Sequence, residues 1–176
     1  MVKGALITAI ALLALLAPAA AQACRNSGAH PTELTVESAR QSVRCLINKK
    51  RKSKRARPLR ANSRLELAAQ GHSAAMESDG FFSHTSLDGS DPLSRIKAAG
   101  YLGGAVKWAI GENLSWAEGP GATPKFTVSQ WMRSPPHRAA MLSRRYRHVG
   151  IGVVFGSPMG SNANSAIYTA NFGFRK

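Results

Sequence analysis

The sequence predicts an α+β fold, with helices early in the chain and strands at its end. Between residues 35 and 100, apolar side chains recur at the spacing of amphipathic helices. Residues 149–155 and 166–174 change to an alternation of apolar and small residues, which is typical of strands. A further apolar run, residues 108–116, is predicted to be a strand between these two regions. This order of elements indicates a small sheet with helices packed on it.

Five helices are predicted, and each begins at a residue that caps or opens helices. The first runs from about Thr35 into a basic stretch, and the second begins with a Ser63-to-Glu66 capping box and ends at Gly80. Residues 156–165 are small and polar, so the last two strands are expected to form an antiparallel hairpin. The three later helices open at Asp91-Pro92, at Thr123-Pro124 and at Ser134-Pro135, the last extending through Leu142.

Residues 1–23 are predicted to be a secretory signal peptide. Lys3 precedes an apolar run over residues 5–16 and the small-residue pattern Ala21-Gln22-Ala23, which fits cleavage before Cys24. The run is shorter than the roughly 20 residues of a membrane-spanning helix, and no later run is long enough. We therefore expect a secreted, soluble chain without a transmembrane segment. Its N-terminal lead is residues 24–34, and its single domain is residues 35–176.

The chain has two cysteines, Cys24 and Cys45, and both would remain after cleavage. In an oxidising compartment they are expected to form a disulfide that ties the new N-terminus to the first helix. The alternative is a lipoprotein, in which Cys24 is lipidated and Cys45 is left alone. The disulfide is favoured because Ala21 and Gln22 are unusual residues for a lipidation signal.

The chain is strongly basic, with a formal net charge of +15. Much of the excess lies in residues 49–60, and a second group follows near residue 145. One interpretation is a solvated helix end and loop, and the other is electrostatic attachment to anionic cell-wall polymers or lipid headgroups. Nucleic acid is a less favoured partner because no stacking aromatic residues interleave with these charges. The basic residues are Lys49, Lys50, Arg51, Lys52, Lys54, Arg55, Arg57 and Arg60, then Arg144, Arg145 and Arg147.

Glu112 is the candidate for the centre of a functional site. It is the one carboxylate in a short apolar segment, where Gly111 precedes it and Asn113 follows it. Burying an unpaired carboxylate is costly, so this side chain needs either solvent or donors and cations. The best candidate partners are His84 and His137, since each lies in a segment whose glycines or prolines fix the backbone.

Other polar residues have structural explanations. His72 lies on the apolar face of the second predicted helix, where a hydrogen-bonded core histidine is favoured over a metal ligand. Ser83, Ser86 and Ser134 lie near histidines in the sequence, which makes a serine nucleophile conceivable. Ser134 is better explained as the N-cap of the fifth helix.

Several short motifs occur in a fixed order along residues 43–173. They include Phe82-Ser83-His84, Gly111-Glu112-Asn113, Trp131-x-x-Ser134-x-x-His137-Arg138, Val149-Gly150-Ile151-Gly152 and Tyr168-Thr169-x-Asn171-Phe172-Gly173. Together they resemble the bacterial CAP superfamily, the SCP-like domains related to cysteine-rich secretory proteins, antigen 5 and pathogenesis-related 1 proteins. The resemblance depends on the whole set, because any one motif alone is a weak signal.

The resemblance implies an α-β-α sandwich, in which a small antiparallel sheet lies between helical layers and a large cleft opens on one side. It also implies two histidines and two acids in that cleft, able to take a divalent metal. His84 and His137 match the histidines and Glu112 matches one acid, whereas Ser134 stands in the place of the second acid. The three remaining ligands could hold zinc with a water in the fourth position. A further departure is Arg55-Ala56, where the family often has a glycine-leucine pair.

Three functions fit these residues. The favoured one is a secreted binding or interaction protein whose cleft engages a lipid, a peptide or another envelope component, since the resemblance includes many non-catalytic proteins. The second is a metal-assisted hydrolase, in which Glu112 acts as general base on a water held by His84 and His137. The third makes these three residues a structural hydrogen-bond network without a ligand.

Overall fold

The computed structural model describes residues 24–160 and 164–176, and in them it shows five helices and a four-stranded sheet. The predicted signal peptide lies outside the described residues. The helices are α1 (Val36–Ser53), α2 (Ser63–Ser78), α3 (Pro92–Ala98), α4 (Pro124–Arg133) and α5 (Pro135–Leu142). The strands are β1 (Arg60–Ala61), β2 (Trp108–Glu118), β3 (His148–Val154) and β4 (Ser165–Arg175). Short 3-10 turns occupy Arg25–Gly28, Pro31–Glu33 and Gly119–Ala122.

The sheet has the strand order β1-β3-β4-β2. Strand β4 pairs antiparallel with both β2 and β3, which confirms the predicted hairpin. The sheet is nevertheless mixed, because the two residues of β1 pair parallel with His148 and Val149 of β3. The small antiparallel sheet expected from the resemblance is confirmed for β2, β3 and β4, and the parallel pair adds to it at this edge, where a two-residue strand is too short to give a periodic sequence signal.

Helices cover both faces of the sheet, so the α+β class and the α-β-α sandwich are confirmed. Helices α1, α4 and α5 bury their apolar side chains against one face, together with Val149, Ile151 and Phe172. Helices α2 and α3 lie on the opposite face, where the buried side chains include Leu65 and Ile96. Side chains of successive strand residues point to opposite faces, so each strand supplies both cores.

Helix α2 packs on β3 without side chains between their backbones. A Cβ atom at Gly150 would overlap the backbone of Leu65 and Glu66, and one at Gly152 would overlap the backbone of Ala69. Neither position can accept a side chain without moving the helix away from the sheet. Glycine at these two positions therefore sets the distance between α2 and the sheet.

The helix starts are those predicted, with one correction. Thr35, Asp91 and Thr123 each accept a hydrogen bond from a backbone N–H in the first turn of the helix that follows. At α2 the cap is Asn62, whose side chain accepts from the N–H groups of Arg64 and Leu65. The predicted Ser63 capping box is thus wrong, because Asn62 has the extended backbone of an N-cap and Ser63 is already helical.

The loop between α1 and β1 contains a strained residue. Arg55 has a φ angle of 53°, in the left-handed region that favours glycine. The resemblance leads us to expect a glycine here, and Arg55 adopts a backbone conformation that glycine would adopt without strain.

The N-terminal lead is fixed to α1 by the predicted disulfide. Cys24 and Cys45 are bonded, with their Cα atoms 5.7 Å apart. The bond uses the thiol that a lipoprotein would need for its anchor, so the structure supports the disulfide over the lipidated alternative. Among the described residues, the structure has no helix that combines the length and the apolar character needed to span a bilayer.

Candidate functional site

Glu112 lies in the middle of β2, on the face of the sheet that α2 covers. Its side chain is only 2% exposed. His84 Nδ1 lies 2.8 Å from Oε1, and Arg95 Nη2 donates to Oε1 at 3.1 Å and to Oε2 at 3.0 Å. The requirement for donors and cations is therefore met inside the protein. One of the two predicted histidines is a partner, and an arginine that was not predicted is another.

His84 is held by one ring nitrogen and presents the other. It lies in the loop between α2 and α3, and its side chain is 52% exposed. Because a carboxylate only accepts hydrogen bonds, Nδ1 carries the proton that is donated to Glu112. Nε2 has no hydrogen-bond partner within the part of the chain that the structure describes. Glu112 thus fixes the tautomer and the orientation of a solvent-facing imidazole.

Arg95 of α3 connects this loop to the carboxylate. Its side chain is 11% exposed, and it also donates to the carbonyl oxygens of His84 and Ser90, at 2.9 and 2.7 Å. One guanidinium group therefore neutralises Glu112 and holds the His84 loop at two points, His84 and Ser90. The sequence indicated only that a buried Glu112 needs a cation. No local pattern identifies Arg95 as that cation.

Asn171 completes the set of donors around Glu112. The two residues are direct neighbours across β2 and β4, and Asn171 is fully buried. With its amide nitrogen facing the carboxylate, it donates to Glu112 Oε2 at 2.9 Å, and its amide oxygen accepts from the N–H of Ala69 at 3.2 Å. Asn171 belongs to a motif that was recognised in the sequence, but no role had been assigned to it.

His72 is a buried histidine with both ring nitrogens engaged. Nε2 donates to the carbonyl oxygen of Ser83 at 2.8 Å, which leaves Nδ1 as acceptor for the hydroxyl of Ser86 at 3.2 Å. Burial lowers the pKa of His72, and this outweighs the opposing effect of the Glu112 charge. These contacts are those of a core histidine, so His72 supports the His84 loop from below.

His137 lies on the other side of β2. Asn113, the residue after Glu112, is buried, and its side-chain nitrogen donates to the backbone carbonyl oxygen of His137 at 3.0 Å. Burial lowers the pKa of the His137 imidazole, and the charge of His84 lowers it further. The structure thus brings His84 and Glu112 into direct contact, whereas His137 is anchored through its backbone and not through the carboxylate.

Ser134 occupies the N-cap position of α5, as predicted, but its hydroxyl makes no capping hydrogen bond. Its backbone is extended, and Pro135 opens the helix behind it. Nearby, the buried Trp131 donates its indole N–H to the carbonyl oxygen of Leu114 at 2.8 Å. The tryptophan of this motif therefore joins α4 to β2, and the serine adds no side-chain contact to the cap.

The described residues do not show the three ligands that were expected from His84, Glu112 and His137 as a cluster. In residues 24–160 and 164–176, no group of three His, Cys, Asp or Glu side chains is close enough to hold a metal ion. The carboxylate of Glu112 is already occupied by the permanently charged Arg95, by His84 and by Asn171. A divalent ion would have to displace these donors next to a fixed positive charge.

An open groove lies along the second half of β2. Its volume is about 550 Å³, and its walls include the aromatic side chains of Phe82, Trp116 and Phe126. The rings of Phe82 and Trp116 are in contact, with centroids 6.3 Å apart. Phe82 is two residues before His84, and Trp116 shares a face of β2 with Glu112, so the groove follows the same strand as the Glu112 site. We call this surface the aromatic groove.

The basic stretch of residues 49–60 is not uniformly solvated. Arg51 is fully buried, and its guanidinium donates to the carbonyl oxygens of Arg57, Met141 and Ser143. Its burial corrects the expectation that all eight cations lie at the surface. Lys49, Lys52 and Arg55 remain exposed, and they line a groove of about 490 Å³ beside the disulfide.

Comparisons with known proteins agree with this architecture. The family model described as CAP, the cysteine-rich secretory protein family, matches residues 45–172. The Bacillus subtilis protein YkwD is 29% identical over 138 residues, which are 78% of this chain and 50% of that protein. The membrane protein YlbC of the same organism is 34% identical over 88 residues, covering 48% of this chain and 22% of that protein. The chain therefore spans half or less of the length of these relatives.

Solved structures share the fold at low identity. An outer surface protein of Borrelia burgdorferi has a TM-score of 0.67 at 21% identity, over 81% of this chain and 97% of that chain. An extracellular protein with an SCP domain from Bacillus anthracis has a TM-score of 0.61 at 23% identity, over 81% of this chain and 44% of that chain. A cysteine-rich secretory protein of Staphylococcus aureus has a TM-score of 0.53 at 19% identity, over 78% and 39%.

Proposed function

The chain belongs to the CAP family, the cysteine-rich secretory proteins, and we propose that it is an exported binding protein rather than a hydrolase. The observation that carries this proposal is the saturation of Glu112. His84, Arg95 and Asn171 supply its donors, and its side chain is almost wholly buried. Its role is to present His84, so the ligand meets the imidazole Nε2 and not the carboxylate.

A general base needs a free lone pair next to the proton that it abstracts. The carboxylate oxygens of Glu112 already accept hydrogen bonds from two charged or polar side chains each, Oε1 from His84 and Arg95 and Oε2 from Arg95 and Asn171. A substrate water would have to break one of these buried bonds. The geometry therefore supports an orienting role for Glu112 and gives no support to the hydrolase alternative.

The aromatic groove supplies the apolar part of the binding site. Ligand sites commonly combine an apolar wall with a few fixed polar groups, and the polar group proposed here is the oriented His84, two residues after Phe82. Phe82 is half exposed although it is a large aromatic side chain. We therefore propose a ligand with an apolar or aromatic portion that lies against Phe82 and Trp116, and an acceptor or donor that reaches His84.

Export is part of the proposal. It is supported by the apolar segment within residues 1–23 and by the disulfide, since such bonds persist in oxidising compartments. The structurally similar proteins of Borrelia, Bacillus anthracis and Staphylococcus are described as outer surface, extracellular and secretory proteins.

The proposal is tested first by calorimetric titration with zinc chloride. We expect wild type, His84→Ala and Glu112→Gln to have the same zinc affinity. The control His30→Ala, which changes a histidine elsewhere, should have that affinity too. A stoichiometric site that both His84→Ala and Glu112→Gln abolish, and that His30→Ala keeps, would restore the metal centre and contradict the proposal.

The groove is tested with Nile red, a neutral apolar dye. We expect the fluorescence of the bound dye to fall severalfold in Phe82→Ala, because this substitution removes one wall of the groove. Met159→Ala removes another exposed large apolar side chain, which lies elsewhere, and serves as the control. Equal dye binding in both variants would remove the aromatic groove from the proposal.

A further inference from the structure

Two basic segments that are far apart in the sequence meet at one edge of the sheet. The backbone N–H of Arg60 donates to the carbonyl oxygen of Arg147 at 2.9 Å, and β1 then pairs with the start of β3. The buried Arg51 donates to the carbonyl oxygen of Ser143, at the start of the second basic segment. The charges that the sequence shows as two groups thus border one end of the fold.

The start of β2 and the end of β4 add further cations at the same end of the strands. The backbone N–H of Lys107 donates to the carbonyl oxygen of Lys176 at 3.0 Å, and Arg175 pairs with Trp108 across β4 and β2. Burial lowers the pKa of His148, and the charges of Arg60, Arg175 and Arg147 lower it further. Arg60 of β1, Arg147 just before β3 and Arg175 of β4 therefore act on a single imidazole at this end of the sheet.

Between these cations lies an open groove of about 590 Å³ with apolar walls. Val106 is 85% exposed and Trp108 is 43% exposed, which is unusual for such large apolar side chains. The lining residues are Val106, Lys107, Trp108, Arg145, Arg147 and Phe174, and we call this set the basic-aromatic face.

Within the part of the chain that the structure describes, no Asp or Glu side chain pairs with the cations of the basic-aromatic face. No Asp or Glu occurs in residues 99–111 or 143–176 of the sequence. Among the described residues, the side-chain ion pairs involve Arg40, His84 and Arg95, and none includes a cation of this face. The face therefore attracts an anionic surface that can approach several cations at once.

We propose that the basic-aromatic face docks on the surface of an anionic lipid bilayer. Lys107, Arg145 and Arg147 would contact the headgroups, and the side chains of Val106 and Trp108 would enter the boundary between headgroups and acyl chains. Tryptophan favours this boundary because its ring is apolar and its N–H needs a polar partner. Clustered lysines and arginines bind anionic headgroups at the same depth.

The exposed apolar residues distinguish a bilayer from a soluble polyanion. A polyanion neutralises cations but leaves Val106 and Trp108 in water, whereas a bilayer buries them. The groove lined by Lys49, Lys52 and Arg55 offers the contrast, since its cations have no aromatic side chain among them. The basic-aromatic face is therefore the better lipid surface, although the longer run of charge lies on α1.

The proposed orientation leaves the ligand site accessible. Trp108 and Glu118 are the two ends of β2, an 11-residue strand, so they are separated by roughly 34 Å at about 3.4 Å per residue. The aromatic groove lies at the Glu118 end, away from the bilayer. Docking is a second activity on different residues, so it stands or fails independently of the proposed function.

The test is cosedimentation of the purified chain with vesicles of phosphatidylcholine containing 30% phosphatidylglycerol, and with phosphatidylcholine vesicles alone. We expect binding only to the anionic vesicles, reduced by salt. Lys107→Glu combined with Arg145→Glu should weaken it by about thirty-fold or more, since two exposed cations are lost. Arg25→Glu with Lys125→Glu makes the same change in net charge at other exposed positions and should have a much smaller effect.

Insertion of the apolar side chains is tested separately. Trp108→Ala and Val106→Ser should each weaken vesicle binding severalfold while leaving retention on a heparin column unchanged. Val106 is 85% exposed, so Val106→Ser should leave folding intact, and it keeps the test valid if Trp108→Ala is unstable. Vesicle binding that is insensitive to both substitutions would identify the face as a site for anionic polymers and overturn the lipid proposal. Loss of binding in Lys49→Glu/Lys52→Glu, but not in Lys107→Glu/Arg145→Glu, would also overturn it.

Discussion

Glu112 and Asn113 are adjacent in β2, yet they do different work on opposite faces of the sheet. Glu112 gathers side chains on the α2 side, where His84, Arg95 and Asn171 surround its carboxylate. Asn113 contacts a backbone on the other side, where it holds the carbonyl oxygen of His137. The comparison shows how two adjacent residues contact the two faces of the sheet. Glu112 organises the candidate site, and Asn113 attaches α5 to β2.

The two faces also differ in the number of side chains that are linked to each contact. The carboxylate of Glu112 is part of a network that includes a charged guanidinium and reaches His72 through the His84 loop. Asn113 makes a single side-chain hydrogen bond to α5. We therefore expect substitutions around Glu112 to lower the free energy of unfolding more than Asn113→Ala does. The effect of Asn113→Ala should also be confined to the contact with α5.

The largest expected effect is that of Arg95→Ala. It removes the cation from a carboxylate that is 2% exposed, and breaking such a buried pair costs about 3–5 kcal/mol. Urea unfolding measures this loss. Arg40→Ala is the matched control, because its pair with Glu66 is more exposed and should contribute at most about 1 kcal/mol. Similar costs for the two substitutions would show that Glu112 is solvated.

Asn113→Ala should have a smaller effect, confined to the other face. It leaves the buried carbonyl oxygen of His137 without its donor, at a cost of about 1–3 kcal/mol. The His84 imidazole signals in NMR spectra should shift in Arg95→Ala and stay unchanged in Asn113→Ala. A shift of these signals in both variants would mean that the faces are coupled and that the division of roles is wrong.

Stability should fall on mild acidification, with contributions from both faces. The pKa values of His72 and His137 are both lowered in the folded chain, chiefly by burial, relative to the ordinary value of 6.5. Below about pH 6.5 the unfolded chain therefore binds more protons, so stability is full above this pH and is lost as pH falls through the folded pKa values.

The measurement is the midpoint of urea unfolding between pH 8 and pH 5. His72→Gln and His137→Gln should each flatten part of the profile, and their separate contributions report on the two faces. An unchanged midpoint over this range in wild type would contradict burial of these imidazoles in their neutral form.

The smallest effect is expected at the start of α5. Ser134→Ala should change stability by less than about 0.5 kcal/mol, because the hydroxyl makes no cap contact. Thr123→Ala at the start of α4 is its matched control and should cost about 1 kcal/mol, since that hydroxyl accepts from the N–H of Phe126. A cost for Ser134→Ala equal to that of Thr123→Ala would show that the serine caps the helix after all.

Local chemistry made most of the fold predictable. Thr35, Asp91-Pro92 and Thr123-Pro124 mark helix starts within the segment itself, so no tertiary contact is needed to find them. Where two caps compete, local reasoning fails, and Asn62 replaced the predicted Ser63. Strand β1 was missed because its two residues become a strand only by pairing with β3.

The sequence predicted the chemistry of the candidate site, but it did not predict all of the residues that form it. The apolar surroundings of Glu112 required a cation, and the structure supplies Arg95 from a helix 17 residues earlier in the chain. The partner depends on where α3 docks, which no local pattern encodes. The same reason explains Arg51, which belongs to a run of charge in the sequence but is buried against the α5 carbonyl groups.

The bare contact between α2 and the sheet determines how this protein meets a ligand. Because Gly150 and Gly152 leave no side chain between the two layers, their separation has no adjustable spacer and cannot widen by a rotamer change. The helix before the His84 loop and the strands that hold Glu112 therefore form one stiff frame, set before any partner arrives. Binding to such a rigid frame loses little free energy to ordering of the protein. Ligands that already match its dimensions should therefore bind, and ligands that require the frame to change shape should not.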